Sequence, residues 1–274
     1  MKRNTLYISD LDGTLLNAQA ELSEYAAKSL NHFIQNGVNF SIATARTGAS
    51  ALKLLSQVAL NQPLILMNGV LIYDMEEERF VKREVLSFQA RIKITEVMQK
   101  TGQAGLMYGL VGDKMTTYYQ HLEIKPLRDF VEERMQKFNK KFIKTDDFNN
   151  VDADIIYFCF LNTKKNIDIL HSELKKINEI NFELYQDIYS PDLWYLEISK
   201  SGVSKYSGIM FLREKYGFEK IIGFGDNLND IPLFKACDEA YAVSNAKPEV
   251  KSMATAVIGT NHEDGVIKWL EANV

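Results

Sequence analysis

The stretch Leu6-Tyr7-Ile8-Ser9-Asp10-Leu11-Asp12-Gly13-Thr14 places two acidic residues directly after a short apolar run. The apolar run predicts a buried strand, in which side chains two residues apart point to the same side. Gly13 then lets the backbone turn sharply without a steric penalty. Two unpaired carboxylates this close repel each other unless one is protonated or a cation lies between them. The motif therefore favours a metal-assisted nucleophile and its acid or base partner, at the carboxyl edge of a sheet where open α/β folds place their chemistry.

Strands and helices alternate in the first part of the chain and again near its end. The first predicted elements are strand Leu6–Asp10, helix Glu21–Gln35, strand Val38–Ala43, helix Ser50–Val58 and strand Pro63–Met67. The later ones are helix Val203–Tyr216, strand Lys220–Phe224, helix Ile231–Ala236, strands Ala240–Val243 and Ala256–Ile258, and helix Asp264–Ala272. Alternation of this kind predicts right-handed βαβ units around a parallel sheet.

The middle of the chain has a different pattern, with many charged residues between strands that are rich in β-branched and aromatic residues. The predicted elements there are helices Arg128–Asn139 and Lys164–Ile177 and strands Leu106–Tyr108, Ile155–Leu161, Phe182–Tyr185 and Leu193–Ile198. The last of these strands is expected to return towards the core. We therefore predict an α/β fold with a doubly wound parallel sheet from residues 1–81 and 196–274, and an inserted α/β cap over residues 82–195.

Composition and charge exclude several classes of function. The 274 residues are 46% hydrophobic and 25% charged, which is sufficient for a substantial core. A net charge of -4 without a long basic run argues against nucleic acid as the main partner. No apolar stretch approaches the roughly 20 residues that span a bilayer, and Asp10 and Asp12 interrupt the N-terminal apolar run before a signal peptide can form. Cys159 and Cys237 lie far apart, so we expect reduced cysteines and a cytoplasmic protein.

Two polar residues follow predicted strands or open predicted helices elsewhere in the chain. Thr44, in Thr44-Ala45-Arg46, can hydrogen-bond a phosphoryl oxygen at the end of its strand, or can simply cap the next helix. Lys205 lies early in a helix, where the dipole disfavours a cation, so a buried anionic partner is worth considering. The alternative is a solvated lysine, and Lys200 is a local competitor for the same role.

The stretch Gly223-Phe224-Gly225-Asp226-Asn227-Leu228-Asn229-Asp230 contains the third acidic site. Asp226 ends a predicted buried strand, and the two glycines leave its carboxylate open. Together with Asp10 and Asp12 it forms a set of oxygen ligands suited to Mg²⁺. Asn229 or Asp230 can instead serve as the N-cap of the helix that follows.

In their order and approximate spacing these motifs resemble the haloacid-dehalogenase-like hydrolase superfamily, and within it the Cof-type sugar-phosphate phosphatases. The resemblance covers the whole chain and rests on Asp10–Thr14, Thr44, Lys205 and Gly225–Asp230, supported by Asn68-Gly69 and Asn245-Ala246-Lys247-Pro248. Ala45 stands where such sequences usually carry glycine, and Leu228 replaces a more usual polar residue. The resemblance implies a Rossmann-like core with a large inserted cap that selects the substrate.

The same resemblance implies a Mg²⁺-dependent phosphomonoester hydrolase of small metabolites, with sugar phosphates or related cofactor phosphates as substrates. Asp10 would attack phosphorus and form an aspartyl-phosphate, and Asp12 would act first as acid and then as base. The implied Mg²⁺ ligands are the Asp10 carboxylate, the Asp12 backbone carbonyl and Asp226.

The remaining implied roles concern the phosphoryl group and the groups around the metal. Lys205 and Thr44 would hold the phosphoryl oxygens together with the backbone around Leu11 and Asp12. Asn229 and Asp230 would orient the metal ligands and Lys205, and Asn229 would also face the phosphate. The core-loop residues expected to face the substrate are Arg46, Asn68 and Gly69.

Two other functions stay open at this point. A phosphotransferase, such as a phosphomutase, uses the same nucleophile but returns the phosphoryl group to a sugar. A receiver-like phospho-accepting module needs one aspartate but has no use for a second acid, so Asp12 favours the enzyme. Four aromatic residues of the cap can line a sugar pocket, but we interpret them as strand and core residues: Tyr118, Tyr119, Tyr185 and Trp194. The expected partner is a small phosphorylated metabolite, not nucleic acid or a membrane, and the sequence gives no indication of oligomeric state.

Overall fold

A computed structural model of the protein describes residues 4–122, 124–138, 140–187 and 190–274. The strands, in chain order, are β1 (Thr5–Ser9), β2 (Asn39–Ile42), β3 (Leu64–Leu66), β4 (Leu71–Asp74), β5 (Arg79–Arg83), β6 (Leu106–Val111), β7 (Lys114–Tyr119), β8 (Phe142–Lys144), β9 (Asp154–Thr163), β10 (Ile180–Gln186), β11 (Leu193–Lys200), β12 (Lys220–Gly225), β13 (Glu239–Val243) and β14 (Ala256–Ile258). The α-helices are α1 (Glu24–Gln35), α2 (Gly48–Leu54), α3 (Phe88–Thr101), α4 (Lys125–Phe138), α5 (Lys164–Leu174), α6 (Lys205–Tyr216), α7 (Ile231–Ala236), α8 (Pro248–Lys251) and α9 (Gly265–Asn273).

The chain forms two compact units, and the second interrupts the first in sequence. The first unit comprises Met1–Lys82 and Val203–Val274, and the second comprises Arg83–Gly202. The predicted boundary between residues 195 and 196 falls inside β11. That strand pairs antiparallel with β9 and β10, so it belongs to the sheet of the second unit and does not return to the core as predicted.

The first unit contains the predicted parallel sheet, with strand order β14-β13-β12-β1-β2. β1 lies in the middle and pairs in parallel with both β12 and β2. Ala43 makes a parallel bridge to Ile65 of β3, which brings a further strand end beside β2. Leu6, Ile8 and Phe224 are fully buried, as expected for parallel strands covered on both faces. The predicted α/β class is therefore confirmed.

Caps determine where the helices of the first unit begin. The Ser23 side chain accepts a hydrogen bond from the Ala26 amide, so α1 begins at Glu24 and not at Glu21. The Ser204 side chain accepts from the Ser207 amide in the same way, so α6 begins at Lys205 and not at Val203. α2 runs over Gly48–Leu54, earlier than the predicted Ser50–Val58.

The second unit is built on a sheet with strand order β10-β11-β9-β6-β7-β8. One face of this sheet packs against α3 and α5 in a core that includes Phe158, Phe160 and Leu196. Tyr118 and Trp194 pack in or against this core, which agrees with their interpretation as structural residues. Tyr185 stacks on Tyr195 and is 42% exposed.

Two helix predictions in the second unit need adjustment. The helix predicted over Arg128–Asn139 is α4, which runs over Lys125–Phe138, and Asn139 lies outside the described residues. The helix predicted over Lys164–Ile177 ends at Leu174. Among the residues that the structure describes, no helix combines the length and the hydrophobicity that a membrane span requires.

Candidate active site

The chain turns sharply directly after β1. The Asp10 amide still donates to the Phe224 carbonyl of β12 at 2.9 Å. The backbone of Leu11–Leu15 then forms a wide, irregular turn, which the Leu16 amide closes by donating to the Leu11 carbonyl at 2.9 Å. Gly13 has a φ of 78° inside this turn, a conformation that glycine adopts without strain. A Cβ at Gly13 would lie 2.6 Å from Oδ2 of Asp226, so only glycine lets the turn pack this closely on that carboxylate.

Lys205 lies at the first residue of α6 with its side chain completely buried. Its ammonium donates to Oδ1 of Asp10 at 2.5 Å and to Oδ1 of Asp230 at 2.6 Å. Burial lowers the pKa of Lys205, but the two carboxylates outweigh it and raise the pKa above its ordinary value, so the side chain stays a cation. Lys200, the competitor, ends β11 and donates to Glu84 at 2.8 Å instead.

Three carboxylates converge around this ammonium. Single oxygens of Asp10, Asp226 and Asp230 lie within 4.8 Å of one another. Burial, with the neighbouring Asp230 and Asp226, raises the pKa of Asp10 well above its ordinary value although Lys205 opposes the shift. Burial also raises the pKa of Asp226 to about 6, against a hydrogen bond from the Thr14 hydroxyl at 2.8 Å. When all three carboxyl groups are ionised, one ammonium leaves the cluster with an excess of negative charge, which the raised pKa values oppose.

The donor set fits a divalent cation of the Mg²⁺ type. All of the clustered donors are carboxylate oxygens, which hard cations prefer. A cation would also stabilise the ionised forms of Asp10 and Asp226, which burial and, to a smaller extent, the neighbouring carboxylates disfavour. The predicted metal ligands are Asp10, Asp226 and the backbone carbonyl of Asp12. In the structure, the third carboxylate that lies close to those of Asp10 and Asp226 belongs to Asp230.

Asp230 connects the lysine to the loop after β12. Its second oxygen, Oδ2, accepts hydrogen bonds from the amides of Asp226 and Asn227, each at 2.9 Å. Asp230 occupies the N-cap position of α7 that the alternative assigned to it, but its carboxylate bonds to the turn before the helix and not to α7 itself. Asp230 is fully buried and fixes the position of Asp226 relative to Lys205.

The Asp12 carboxylate points to Arg46. Arg46 Nε donates to Oδ2 at 2.7 Å and Nη2 donates to Oδ1 at 2.6 Å. The two side chains are 24% and 48% exposed, so this pair lies at the surface of the site. The sequence predicted that Arg46 faces the substrate; in the structure its guanidinium contacts the second acid of the motif.

Thr44 follows β2 and is completely buried. Its hydroxyl accepts a hydrogen bond from the Arg46 amide at 3.1 Å, and its own amide donates to the Ile65 carbonyl at 2.9 Å. The N-cap of α2 is Thr47, so the alternative role of Thr44 as that helix cap does not hold. Leu11 is also fully buried, and its predicted role concerns the backbone alone.

The segment Met67-Asn68-Gly69 approaches the start of α6. Gly69 has a φ of 104°, and a Cβ there would lie 2.3 Å from the Ser204 carbonyl. The Asn68 side-chain oxygen accepts from Asn229 at 3.5 Å. The loops after β3 and β12 and the N-terminus of α6 are thus in contact.

Two residues of this region had no role in the sequence interpretation. Thr14 donates to Asp226, and Asn245 donates to the Gly13 carbonyl at 2.7 Å. The two contacts join residues that are 212 and 232 positions apart in the chain. No local sequence pattern signals contacts over such separations, although Thr14 and Asn245 both lie in stretches on which the family resemblance rests.

Comparisons with known proteins find relatives that match the chain over nearly its whole length. The enzyme named 5-amino-6-(5-phospho-D-ribitylamino)uracil phosphatase YcsE from Bacillus subtilis (strain 168) is 28% identical over 265 residues, which cover 94% of this chain and 91% of the relative. Pyridoxal phosphate phosphatase YbhA from Escherichia coli (strain K12) is 23% identical over 273 residues, which cover 97% of each chain.

Solved structures share the fold. A haloacid dehalogenase-like hydrolase from Bacteroides thetaiotaomicron superposes with a TM-score of 0.82 at 22% identity, over 99% of this chain and 100% of that one. TM0651 from Thermotoga maritima superposes with a TM-score of 0.81 at 24% identity, over 100% of this chain and 98% of that one. A family model described as haloacid dehalogenase-like hydrolase matches residues 7–270. Because this match spans nearly the whole chain, the protein belongs to the haloacid dehalogenase-like hydrolases.

Proposed function

We propose that the protein is a Mg²⁺-dependent phosphomonoester hydrolase that acts on small phosphorylated metabolites through an aspartyl-phosphate on Asp10. The observation that carries the proposal is the buried Lys205 ammonium, which contacts Asp10 at 2.5 Å and Asp230 at 2.6 Å. Burying several charges together costs stability, and such clusters with shifted pKa values are typical of functional sites. Two relatives are named for 5-amino-6-(5-phospho-D-ribitylamino)uracil and pyridoxal phosphate, which are both small phosphate esters.

The proposed metal ligands are the carboxylates of Asp10 and Asp226 and the backbone carbonyl of Asp12. Asp230 and Asn229 would orient them from behind. When bound, the ion supplies positive charge that offsets the repulsion between the Asp10 carboxylate and the phosphate ester. The oxygen-only donor set and its excess negative charge support this assignment.

Asp10 and Asp12 carry out the proposed chemistry in two steps. First, a carboxylate oxygen of Asp10 attacks phosphorus, the bond from phosphorus to the leaving oxygen breaks, and Asp12 gives that oxygen a proton. Then Asp12 takes a proton from water as the water oxygen attacks phosphorus. The bond to Asp10 breaks, inorganic phosphate leaves, and the Asp10 carboxylate is restored.

Lys205 and the Thr44 hydroxyl would hold the phosphoryl oxygens as negative charge grows on them, together with the backbone amides of Leu11 and Asp12. The Lys205 ammonium is fixed by its carboxylate partners, so it needs little reorganisation when the transition state forms. Asn68 and Gly69 would face the remainder of the ester.

The test is release of inorganic phosphate from a panel of sugar phosphates and cofactor phosphates, with Mg²⁺ or with a chelator. We expect metal-dependent release that Asp10→Asn abolishes. Asp168→Asn is the matched control, because Asp168 is an exposed aspartate that pairs with Lys164 on α5 of the second unit. Substantial metal-dependent activity in Asp10→Asn contradicts the nucleophile assignment.

The same panel separates hydrolysis from phosphoryl transfer. A hydrolase releases one phosphate for each ester consumed. If the ester disappears faster than phosphate appears when a free sugar is present, a sugar hydroxyl replaces water as acceptor and the protein is a transferase. Mass spectrometry of the acid-quenched protein should show a phosphoryl group on Asp10 in either case.

A further inference from the structure

Asn245 connects two loops of the first unit through a single side chain. Its Nδ2 donates to the Gly13 carbonyl at 2.7 Å. Its Oδ1 accepts from the Asn261 amide at 3.1 Å and from the Thr260 hydroxyl at 3.2 Å. Asn245 lies in the segment after β13, and Asn261 precedes α9. The side chain therefore ties the turn after β1 to the loop that leads into the last helix.

A second asparagine holds the other end of the same turn. The Asn261 side chain is buried, and its Nδ2 donates to the Leu16 carbonyl at 2.8 Å. The carbonyls of Gly13 and Leu16, on either side of Thr14, thus each accept from an asparagine amide. Because the two asparagines also bond to each other, the turn is held at two points by one connected pair.

The turn that they hold is in direct contact with Asp226. The Thr14 hydroxyl donates to Oδ1 of Asp226 at 2.8 Å, and the position of a Gly13 Cβ lies 2.6 Å from Oδ2. A displacement of Thr14 therefore weakens its hydrogen bond to Asp226 or carries the carboxylate with it. The backbone at Gly13 passes so close to Oδ2 that no side chain fits between them, which limits how far the turn can move towards Asp226.

The segment that carries Asn245 also holds the backbone of Asp226. The Lys247 amide donates to the Asp226 carbonyl at 2.9 Å. Two residues of one short segment, Asn245 and Lys247, thus fix the turn after β1 and the loop after β12 relative to each other. These are the two loops that provide the carboxylates of Asp10 and Asp226.

We propose that Asn245 is a positioning residue that sets the separation of Asp10 and Asp226 by holding the Gly13 carbonyl, with Asn261 holding the Leu16 carbonyl. The inference extends the proposed function, since these two carboxylates are its nucleophile and metal ligand. Groups that orient metal ligands without touching the metal commonly change metal affinity by 10- to 100-fold when they are removed. Asn245 would act in this way, although its own side chain is exposed.

The first test is hydrogen–deuterium exchange of the whole chain in EDTA, so that no metal contributes. Asn245→Ala should speed exchange of the amides in residues 11–16 by about tenfold, the effect expected for loss of one hydrogen bond. Asn245→Asp loses the donor to Gly13 but keeps an oxygen that accepts from the Asn261 amide. It should therefore speed exchange in the turn while leaving the Asn261 amide as slow as in the unsubstituted protein.

Asn31→Ala is the matched control. Asn31 also bridges two backbone groups with its side chain, donating to the Gln57 carbonyl and accepting from the Ala59 amide, each at 2.8 Å. Its contacts involve neither the acidic turn nor Asp226. Asn31→Ala should leave exchange of residues 11–16 unchanged even if it lowers the melting temperature as much as Asn245→Ala does.

The second test is calorimetric titration with Mg²⁺. We expect Asn245→Ala to bind Mg²⁺ about tenfold more weakly than the unsubstituted protein, and Asn31→Ala to bind it equally well. Unchanged exchange in residues 11–16 of Asn245→Ala, or an equal increase in Asn31→Ala, would overturn the inference. If the unsubstituted protein releases no phosphate from any ester, the proposed function fails, while the metal-free exchange comparison still decides the role of Asn245.

Discussion

Arg46 contacts both carboxylate oxygens of Asp12, with Nε 2.7 Å from Oδ2 and Nη2 2.6 Å from Oδ1. A two-point contact of this kind fixes the plane of a carboxylate as well as its position. Because both oxygens accept hydrogen bonds from the guanidinium, Arg46 holds the Asp12 side chain in one orientation. Asp12 would use this side chain in both proposed steps, first giving a proton to the leaving oxygen and then taking one from water.

Replacing Arg46 with alanine should impair the proton transfers of Asp12 more than it impairs binding. We expect kcat/KM for alkyl phosphates to fall roughly tenfold or more, and for aryl phosphates much less, because good leaving groups need little protonation. Asp12→Ala sets the upper limit for this effect, about 10²- to 10⁴-fold. Rates across a series of leaving groups give the measurement, and an equal loss for aryl and alkyl esters would argue against the assignment.

The stability of the Arg46 variant provides its control. An ion pair at the surface contributes about 1 kcal/mol or less to the free energy of unfolding, and the two side chains are 24% and 48% exposed. The melting temperature of Arg46→Ala should therefore change little. A large drop in melting temperature would show that the kinetic loss comes from unfolding and not from Asp12.

Mg²⁺ should stabilise the protein through Asp226. We expect the free energy of unfolding at pH 7.5 to rise by about 2.7 kcal/mol when Mg²⁺ is present at 100 times its dissociation constant. Asp226→Asn should remove most of this gain because it removes an anionic ligand. Thermal unfolding with Mg²⁺ and with EDTA checks the prediction.

The metal-free Asp226→Asn variant should be more stable than the unsubstituted protein at neutral pH. Burial raises the pKa of Asp226 from 3.8 to about 6, so the folded state prefers the protonated carboxyl. Its contribution to stability is complete below pH 3.8 and is lost as the pH rises through about 6, at a cost of up to about 3 kcal/mol. The neutral amide avoids this cost, so an unchanged or lower melting temperature in EDTA at pH 7.5 would contradict the prediction.

Glu197 should make the stability of the second unit depend on pH, independently of Asp226. Burial and the nearby Glu183 raise the pKa of Glu197 to about 7, although the hydroxyls of Tyr157 and Tyr185 oppose the shift. The raised pKa means that the folded state favours the protonated form of Glu197. The contribution of this group to the free energy of unfolding is therefore complete below pH 4.5 and is lost as the pH rises through about 7. The loss is at most about 3 kcal/mol, and the partial exposure of Glu197 lowers it.

Urea unfolding between pH 5 and pH 8 measures this effect. Trp194 lies in the second unit and Trp269 in the first, so a Trp269→Phe background makes the fluorescence specific for the second unit. Glu197→Gln should flatten the decline in stability towards pH 8. Glu173→Gln is the control, since hydrogen bonds from Lys100 and Lys176 lower the pKa of Glu173 to about 2. A decline that persists in Glu197→Gln would rule out this carboxyl as its source.

Gly69 and Gly37 provide a matched pair for backbone strain. Both have positive φ, 104° and 86°, but a Cβ at Gly69 would lie 2.3 Å from the Ser204 carbonyl whereas a Cβ at Gly37 meets nothing within 4 Å. Gly37→Ala should cost about 1–2 kcal/mol in the free energy of unfolding, the penalty for a left-handed residue. Gly69→Ala should cost more and should also reduce activity, because relief of the clash displaces the N-terminus of α6 and with it Lys205. If urea unfolding shows the same loss of stability for Gly69→Ala and Gly37→Ala, the segment that contains Gly69 moves away from Ser204 without cost and the prediction is wrong.

The sequence was sufficient to predict the parallel sheet and the family, and the reasons are local. Short apolar runs that end in acidic residues mark β1 and β12, and both strands lie where that pattern indicated. The convergence of Asp10 and Asp226 could be anticipated because parallel strands bring their carboxyl ends to one edge. Lys205 follows no strand of that sheet, and only the order of the motifs in the family resemblance placed it beside them. The catalytic roles of these residues stay predictions, as does the cytoplasmic location.

The features that were not predicted depend on long-range contacts or on weak periodicity. α3 was missed because its buried face contains Arg91 and Thr95 among apolar residues, which breaks the helical pattern. Arg91 can be buried there because its guanidinium donates to the carbonyls of Val151 and Asn149 at 3.0 and 2.8 Å. The end of the second unit was placed too early because nothing in the sequence of β11 shows which strands it pairs with.

The order of the residues along the chain has a consequence for synthesis. Thr14 and Asp226 are hydrogen-bonded although 212 positions separate them, and the whole of the second unit lies between. β1 pairs with β2 on one side and with β12 on the other, and β12 follows the second unit in the chain. A nascent or truncated chain that stops after the second unit contains Asp10 and Asp12 but neither Lys205 nor Asp226. Metal binding should therefore report that the two separated segments of the first unit have joined.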